Sequence, residues 1–195
     1  MLVAIEGLDQ SGKETQAKLL RNRIRAVGYK SRVESFPDYG TSIGEEIARA
    51  LQGEREYGPE TMQLLYVANR FERKLDIDRW NDAGIVVIFD RYVASSIAYG
   101  EAHGLDPNWL TNLQLYLPQP DLTLLLDIAP KTAVERKATG RDRYERDLEL
   151  LERVRESYLR QAEQSDWMLV DGEQNKEQVA AALVAALEPR LPQIG

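Results

Sequence analysis

The sequence predicts an α/β chain, a three-layer sandwich in which helices cover both faces of a five-stranded, mostly parallel sheet. Three observations predict it. Short β-branched or Leu-rich runs alternate with longer segments of helical period along the whole chain. The run at 85–89, Ile-Val-Val-Ile-Phe, is apolar at every position, as a central strand covered on both faces has to be. The first run also leads through a glycine-containing segment directly into a helical stripe.

Taken in order, residues 2–5 form the first strand. Ala17, Leu20, Ile24 and Val27 then share one helical stripe, and Gly28 supplies a left-handed stop. A strand at 32–36 is followed by helices at 43–51 and 60–80, and the central strand 85–89 by a helix at 95–101. The strand at 122–128 precedes helices at 132–139 and 147–164, and the strand at 168–170 precedes a last helix at 176–187. Asn175 and Gln178 have the spacing of a capping pair at its start. No repeat or low-complexity segment interrupts the pattern, so 1–195 reads as a single domain.

Composition narrows the function. A net charge of −7 argues against sequence-independent nucleic-acid binding, which needs a basic face. An anionic substrate must then be met by a local cluster of cations. Without cysteine there is no disulfide, thiolate nucleophile or Cys-ligated metal, and a cytoplasmic protein is expected. No run approaches the roughly 18 apolar residues of a membrane helix, and the N-terminus lacks the order of a signal peptide, so no membrane partner is expected.

Gly7-Leu8-Asp9-Gln10-Ser11-Gly12-Lys13-Glu14-Thr15 follows the first strand and opens the first helix, the setting of a Walker A loop. Glycines let backbone N–H groups turn toward phosphates, the helix N-terminus adds positive potential, and Lys13 reaches the β and γ oxygens. The fold is therefore of the P-loop NTP hydrolase type, and these nine residues are the expected ATP site. One position departs from the pattern. Glu14 stands where a Ser or Thr hydroxyl usually meets Mg²⁺, and Thr15 is rotated about 100° around the helix from that place. Glu14 either ligates magnesium or turns to solvent.

A GTPase would carry Asn-Lys-x-Asp, and Asn175-Lys-Glu-Gln178 lacks the aspartate. Small size favours a nucleotide or small-molecule kinase. Gly7 to Lys13, Phe36-Pro-Asp-Tyr39, Ala68-Asn-Arg70, Asp90-Arg-Tyr92, Ser95-Ser96 with Tyr99, Pro120 to Asp127, and Arg141-Asp-Arg-Tyr-Glu145 occur in one order along the chain. In these motifs the sequence resembles the thymidylate kinase family over nearly its full length.

The resemblance implies transfer of the γ-phosphoryl of ATP to dTMP with Mg²⁺, giving dTDP and ADP in dTTP biosynthesis, by a homodimer. Arg91 would clamp the acceptor phosphate, which suits a planar fork at the carboxyl edge of a sheet. Tyr66 and Arg70, four apart on a helix, would stack on thymine and donate to its O4. Ser96 and Tyr99 would read the base edge and crowd the 2′ position, joined by Tyr144, with Phe36 and Tyr39 as walls. Asp9 would contact the 3′-hydroxyl and, with Glu145, hold the metal.

Residues 137–147 would form a lid over ATP. Gln10 takes the place where some members carry a P-loop arginine, so transition-state charge would fall to Arg141 or Arg143. His103 reads as a surface residue without a role. Two alternatives stay open: another small nucleotide or nucleoside kinase, and a catalytically impaired nucleotide-binding regulator.

Overall fold

The structure, a computed structural model, describes residues 1–136 and 144–192, with side chains at 144–147 left aside. Strands β1 (Leu2–Gly7), β2 (Ser31–Ser35), β3 (Val86–Asp90), β4 (Leu122–Asp127) and β5 (Met168–Asp171) form one sheet. Helices α1 (Lys13–Ala26), α2 (Ser42–Leu51), α3 (Pro59–Asp82), α4 (Val93–Ala102), α5 (Pro107–Asn112), α6 (Pro130–Arg136), α7 (Tyr144–Glu163) and α8 (Lys176–Leu187) connect and follow them. Every strand pair is parallel and the order is β2-β3-β1-β4-β5.

Side-chain alternation in the strands divides the core between the two faces. Val3, Ile5, Val86, Ile88, Leu124 and Leu126 meet Leu20 and Ile24 of α1 and Val179 and Leu183 of α8. Leu2, Ala4, Val87 and Phe89 pack with Ile77 of α3 on the opposite face, and Leu125 packs with Ala94 and Ala98 of α4 and Val154 of α7. The central strands are thus buried on both faces, which is why 85–89 contains no polar position. At that edge Phe89 stacks on Tyr92 at 4.1 Å, and Phe36 tilts against Tyr92 at 5.6 Å.

The strand order reverses around β1, so its carboxyl end opens on the crevice where ligands bind in open α/β sheets. The register brings Ile5 and Ser35 level with Asp90, and Gly7 level with Leu126. The phosphate loop and the Asp90-Arg91 turn therefore emerge side by side.

The five expected strands and their parallel pairing are present, as is the Asn175–Gln178 capping box, with bonds of 3.0 and 3.3 Å. Helix α5 was not expected from the sequence. Asp106 caps it and Pro107 opens it, but six residues are too few to show a helical period.

Candidate active site

The phosphate loop is shaped by three backbone conformations unusual for L-residues, at Gly7 (φ 142), Gln10 (φ 64) and Gly12 (φ 91). At Gly7 the reason is contact, because a Cβ there would collide with the Leu126 carbonyl on the neighbouring strand. Lys13 opens α1 and is buried. Its Nζ donates to the Leu8 carbonyl at 2.6 Å and to Ser11 Oγ at 3.3 Å. Burial, and then the positive Arg91 nearby, lower its pKa to about 7. Arg136, at the end of α6, donates to the carbonyls of Gln10 and Gly172 at 3.3 and 3.4 Å.

Glu14 faces outward and pairs with Lys18 one turn on, at 2.5 Å. Its side chain has turned to solvent, as one of the two sequence readings had it. Thr15 is exposed as well.

Arg91 follows β3 at a left-handed φ of 66. Its Nη1 donates to the Gly7 carbonyl at 3.3 Å, to Ser95 Oγ at 3.1 Å and to Tyr158 Oη at 3.4 Å. Its Nη2 meets Tyr99 Oη at 3.2 Å and forms an ion pair with Asp9. The Asp90-Arg91 dipeptide is thus no local salt bridge. The guanidinium joins the phosphate loop to α4 and α7.

Arg70 marks the other end. It is buried on α3, donates from Nη1 to Ser96 Oγ at 2.7 Å and to Gln114 Oε1 at 3.4 Å, and lies 5.9 Å from the Phe36 ring. Gln114 is fixed in turn, since its amide donates to the carbonyls of Val93 and Leu110 at 3.1 Å. Burial lowers the Arg70 pKa to about 10, so it remains a cation at neutral pH. Burial raises the Tyr66 phenol to about 12.

Asn69, beside Arg70, is completely buried and accepts from the Asp38 N–H at 2.7 Å. It donates to the Asp38 carbonyl at 3.1 Å and to Thr41 Oγ1 at 2.8 Å. Arg73 adds an ion pair to Asp38 at 2.6 Å. The chain that carries Phe36 and Tyr39 is pinned to α3 by these contacts.

Between the two arginines lies a cavity of about 590 Å³. Asp9, Phe36, Tyr39, Tyr66, Arg70, Arg91, Ser96 and Tyr99, all singled out from the sequence, line it together. Tyr66 and Arg70 do face the same way. Residues 137–143 of the lid segment 137–147, with Arg141 and Arg143, and the side chains of Tyr144 and Glu145 lie outside the described residues. His103, read as having no role, is exposed but stands at the cavity rim.

Several residues escaped the sequence reading. Gln63 and Met62 also line the cavity, and Glu6, Tyr158 and Gln114 hold residues that do, while Ser95, which lines it, and Asn69 stood in the quoted motifs without an assigned role. Outside those motifs Glu6 alone carried a signal, a charge inside an otherwise apolar strand. The others depend on contacts made far along the chain.

The donor set suits a cation that arrives with its phosphates. Asp9 is exposed at the loop, and Asp90, whose carboxyl burial holds above the usual range, lies near Lys13. Among the described residues no three His, Cys, Asp or Glu side chains gather around one point. Mg²⁺ brought by a nucleotide needs only one or two carboxylates, which this loop has.

Known proteins resemble this chain over most of its length. The family model described as thymidylate kinase matches residues 5–183. Thymidylate kinase of Arabidopsis thaliana is 35% identical over 178 residues, 91% of this chain and 67% of the relative. Probable thymidylate kinase 1 of Saccharolobus solfataricus is 30% identical over 190 residues, 97% of this chain and 98% of the relative. The solved structure of thymidylate kinase from Candida albicans matches with a TM-score of 0.78 at 30% identity, covering 97% of this chain and 91% of that one.

Proposed function

The chain belongs to the thymidylate kinase family, and from that membership we infer that it moves the γ-phosphoryl of ATP onto dTMP, forming dTDP and ADP toward dTTP. The observation that carries this reading is the cavity itself, with a guanidinium at each end and aromatic rings between. Thymidine monophosphate needs a planar cation for its phosphate, a donor for its O4 carbonyl and a ring to stack on. Arg91, Arg70 with Ser96, and Tyr66 with Phe36 supply these in that order.

Phosphoryl transfer requires alignment and charge stabilisation rather than a protein nucleophile. Arg91 would hold the acceptor oxygens beside the phosphate loop. Lys13, now bonded to the Leu8 carbonyl, would exchange that partner for the β and γ oxygens. Asp9, paired with Arg91, would yield it to the phosphate and turn to the 3′-hydroxyl and the metal. Bound Mg²⁺ would neutralise charge across the β and γ oxygens. Asp9 and Glu145 are the residues we assign to it, and Arg141 or Arg143 remains our choice for the catalytic cation.

Residues 1–195 are read as one kinase domain. Two copies packed through helices are proposed as the working form. Leu64 and Leu75, which are 47% and 67% exposed on α3, share a stripe with Phe71 that suits such a contact. No helix of the described residues is long and apolar enough to cross a membrane. The cysteine-free sequence supports a cytoplasmic setting.

The test is ADP release with Mg²⁺ and ATP across dTMP, dUMP, dCMP, dGMP and thymidine. dTMP should turn over best. dUMP should follow, because a methyl pocket is worth only about 1–3 kcal/mol. dCMP should lag further, because its amine leaves Arg70 without an acceptor. Preferential turnover of any other substrate overturns the reading.

A further inference from the structure

Strand β1 is apolar from Leu2 to Ile5, and then places Glu6, fully buried, one residue before the phosphate loop. A carboxylate in such a position is costly unless hydrogen bonds compensate it. Three neutral donors converge on it. The Tyr92 N–H reaches Oε1 at 2.8 Å, while the Ser95 hydroxyl at 2.6 Å and the Tyr158 phenol at 3.1 Å reach Oε2. Ser95 and Tyr158 are themselves 7% and 1% exposed and stand 2.8 Å apart. Tyr158 comes from α7, 152 positions along the chain from Glu6.

A buried apolar packing would have been simpler at this point of the core. What the polar cluster surrounds is Arg91, whose Nη1 donates to both hydroxyl oxygens, at 3.1 Å to Ser95 and 3.4 Å to Tyr158. Arg91 sits at a φ of 66, a conformation its own backbone disfavours, so local preference does not hold it there. Glu6 fixes the next residue through the Tyr92 N–H.

The direction of the protons matters. An ionised carboxylate only accepts, so Ser95 gives its proton to Glu6. Tyr158 has one proton, for Glu6 or for Ser95, and burial followed by the adjacent Glu6 pushes its pKa well above the ordinary phenol value, so that proton stays on. In either arrangement the protons run toward Glu6, and both oxygens turn lone pairs to the guanidinium. An amide at position 6 could donate, which would reverse the chain and set hydroxyl protons against Arg91.

We propose that Glu6 and Tyr158 are positioning residues for the acceptor phosphate, acting through Ser95 and Arg91 to aim the guanidinium into the cavity. This rests on the reading of Arg91 as the phosphate clamp. The experiment is calorimetric binding of dTMP and of thymidine, which lacks the phosphate, to wild type, Glu6→Gln, Tyr158→Phe, Arg91→Ala and the Tyr158→Phe/Arg91→Ala double variant. Glu6→Gln should weaken dTMP about tenfold, the scale of a lost hydrogen bond to a charged group, and leave thymidine within about twofold.

Tyr158→Phe keeps the ring in the core and should show the same selective loss, smaller in size. It carries the test if Glu6→Gln does not fold. Added to Arg91→Ala, it should cost dTMP nothing further. Equal losses for dTMP and thymidine, or no loss for dTMP, overturn the proposal. If Arg91→Ala lowers the dTMP-to-thymidine ratio while the other variants do not, the clamp stands and the inference falls. If Arg91→Ala leaves that ratio unchanged, the clamp reading falls and the inference with it.

Discussion

At the end of the cavity proposed for the acceptor base, Arg70, Ser96 and Asn69 are buried and hydrogen-bonded within the protein. At the phosphate loop, Asp9 and Glu14 are exposed and Lys13 is folded onto a carbonyl of its own loop. The first region is ordered by its own hydrogen bonds, built on α3 and α4 against the sheet. The second is a set of donors whose final partners are the phosphates themselves. A kinase gains from this asymmetry. Selection among monophosphates requires fixed donors, whereas the triphosphate brings enough charge to order its own site.

The largest effect should come from the donor side, where Gln10 leaves the phosphate loop without an arginine. Arg143→Ala or Arg141→Ala should lower kcat by about 10³ or more, with the KM for dTMP little changed, because such a cation acts on the transferring group alone. Unchanged kcat in both variants, measured by steady-state turnover, would show that the donor side already holds its cation, and Arg136 would then be the residue to test.

Next in size is the base end. Arg70 is a buried cation whose Nε has no partner among the described residues and whose pKa burial lowers to about 10. Holding it charged costs the fold on the order of 3 kcal/mol at neutral pH, a penalty relieved only as pH rises above about 10. Arg70→Leu should therefore lower kcat/KM for dTMP on the order of a hundredfold while raising the unfolding temperature by several degrees. A variant that loses activity and stability together would mean that Arg70 holds the core rather than the substrate.

Much of this was legible in the sequence, for a physical reason. Apolar runs are local, and so are the phosphate-loop spacing and the i, i+4 pairing of Tyr66 with Arg70, so the strands, Lys13 and one face of the cavity could be found by period and motif. The sheet order, with β1 central, depends on crossovers that leave no local trace. So does the support beneath the site. Asn69 reaches back 31 positions to Asp38, Gln114 braces an arginine 44 positions away, and Tyr158 closes on Glu6 across 152. Pairings of that kind become visible only when the chain is folded.

The donor side should also respond to pH where the acceptor side does not. With a pKa of about 7, Lys13 is half protonated near neutrality in the free protein. Bound phosphates favour its charged form, so ATP binding takes up a proton above that point. The affinity for ATP should then fall by up to about tenfold per pH unit above 7, while that for dTMP stays flat because Arg70 and Arg91 keep their charge. Calorimetry in buffers of different ionisation enthalpy would measure the proton directly. No uptake near pH 8 would mean that Lys13 is already fully charged in the free loop.

The smallest effect expected is at Glu14, the position that departs from the phosphate-loop pattern. Its carboxylate pairs with Lys18 on the outer face of α1, and that contact holds its pKa below the ordinary value. The loop's phosphate cradle depends on backbone N–H groups and Lys13, and neither is altered by shortening an outward side chain. Glu14→Ala should therefore leave kcat and the Mg²⁺ concentration needed for half-maximal rate unchanged within about twofold. A rise in that Mg²⁺ requirement would mean that Glu14 leaves Lys18 for the metal when ATP binds. The donor side would then owe its cation site to a side chain that the fold holds facing away.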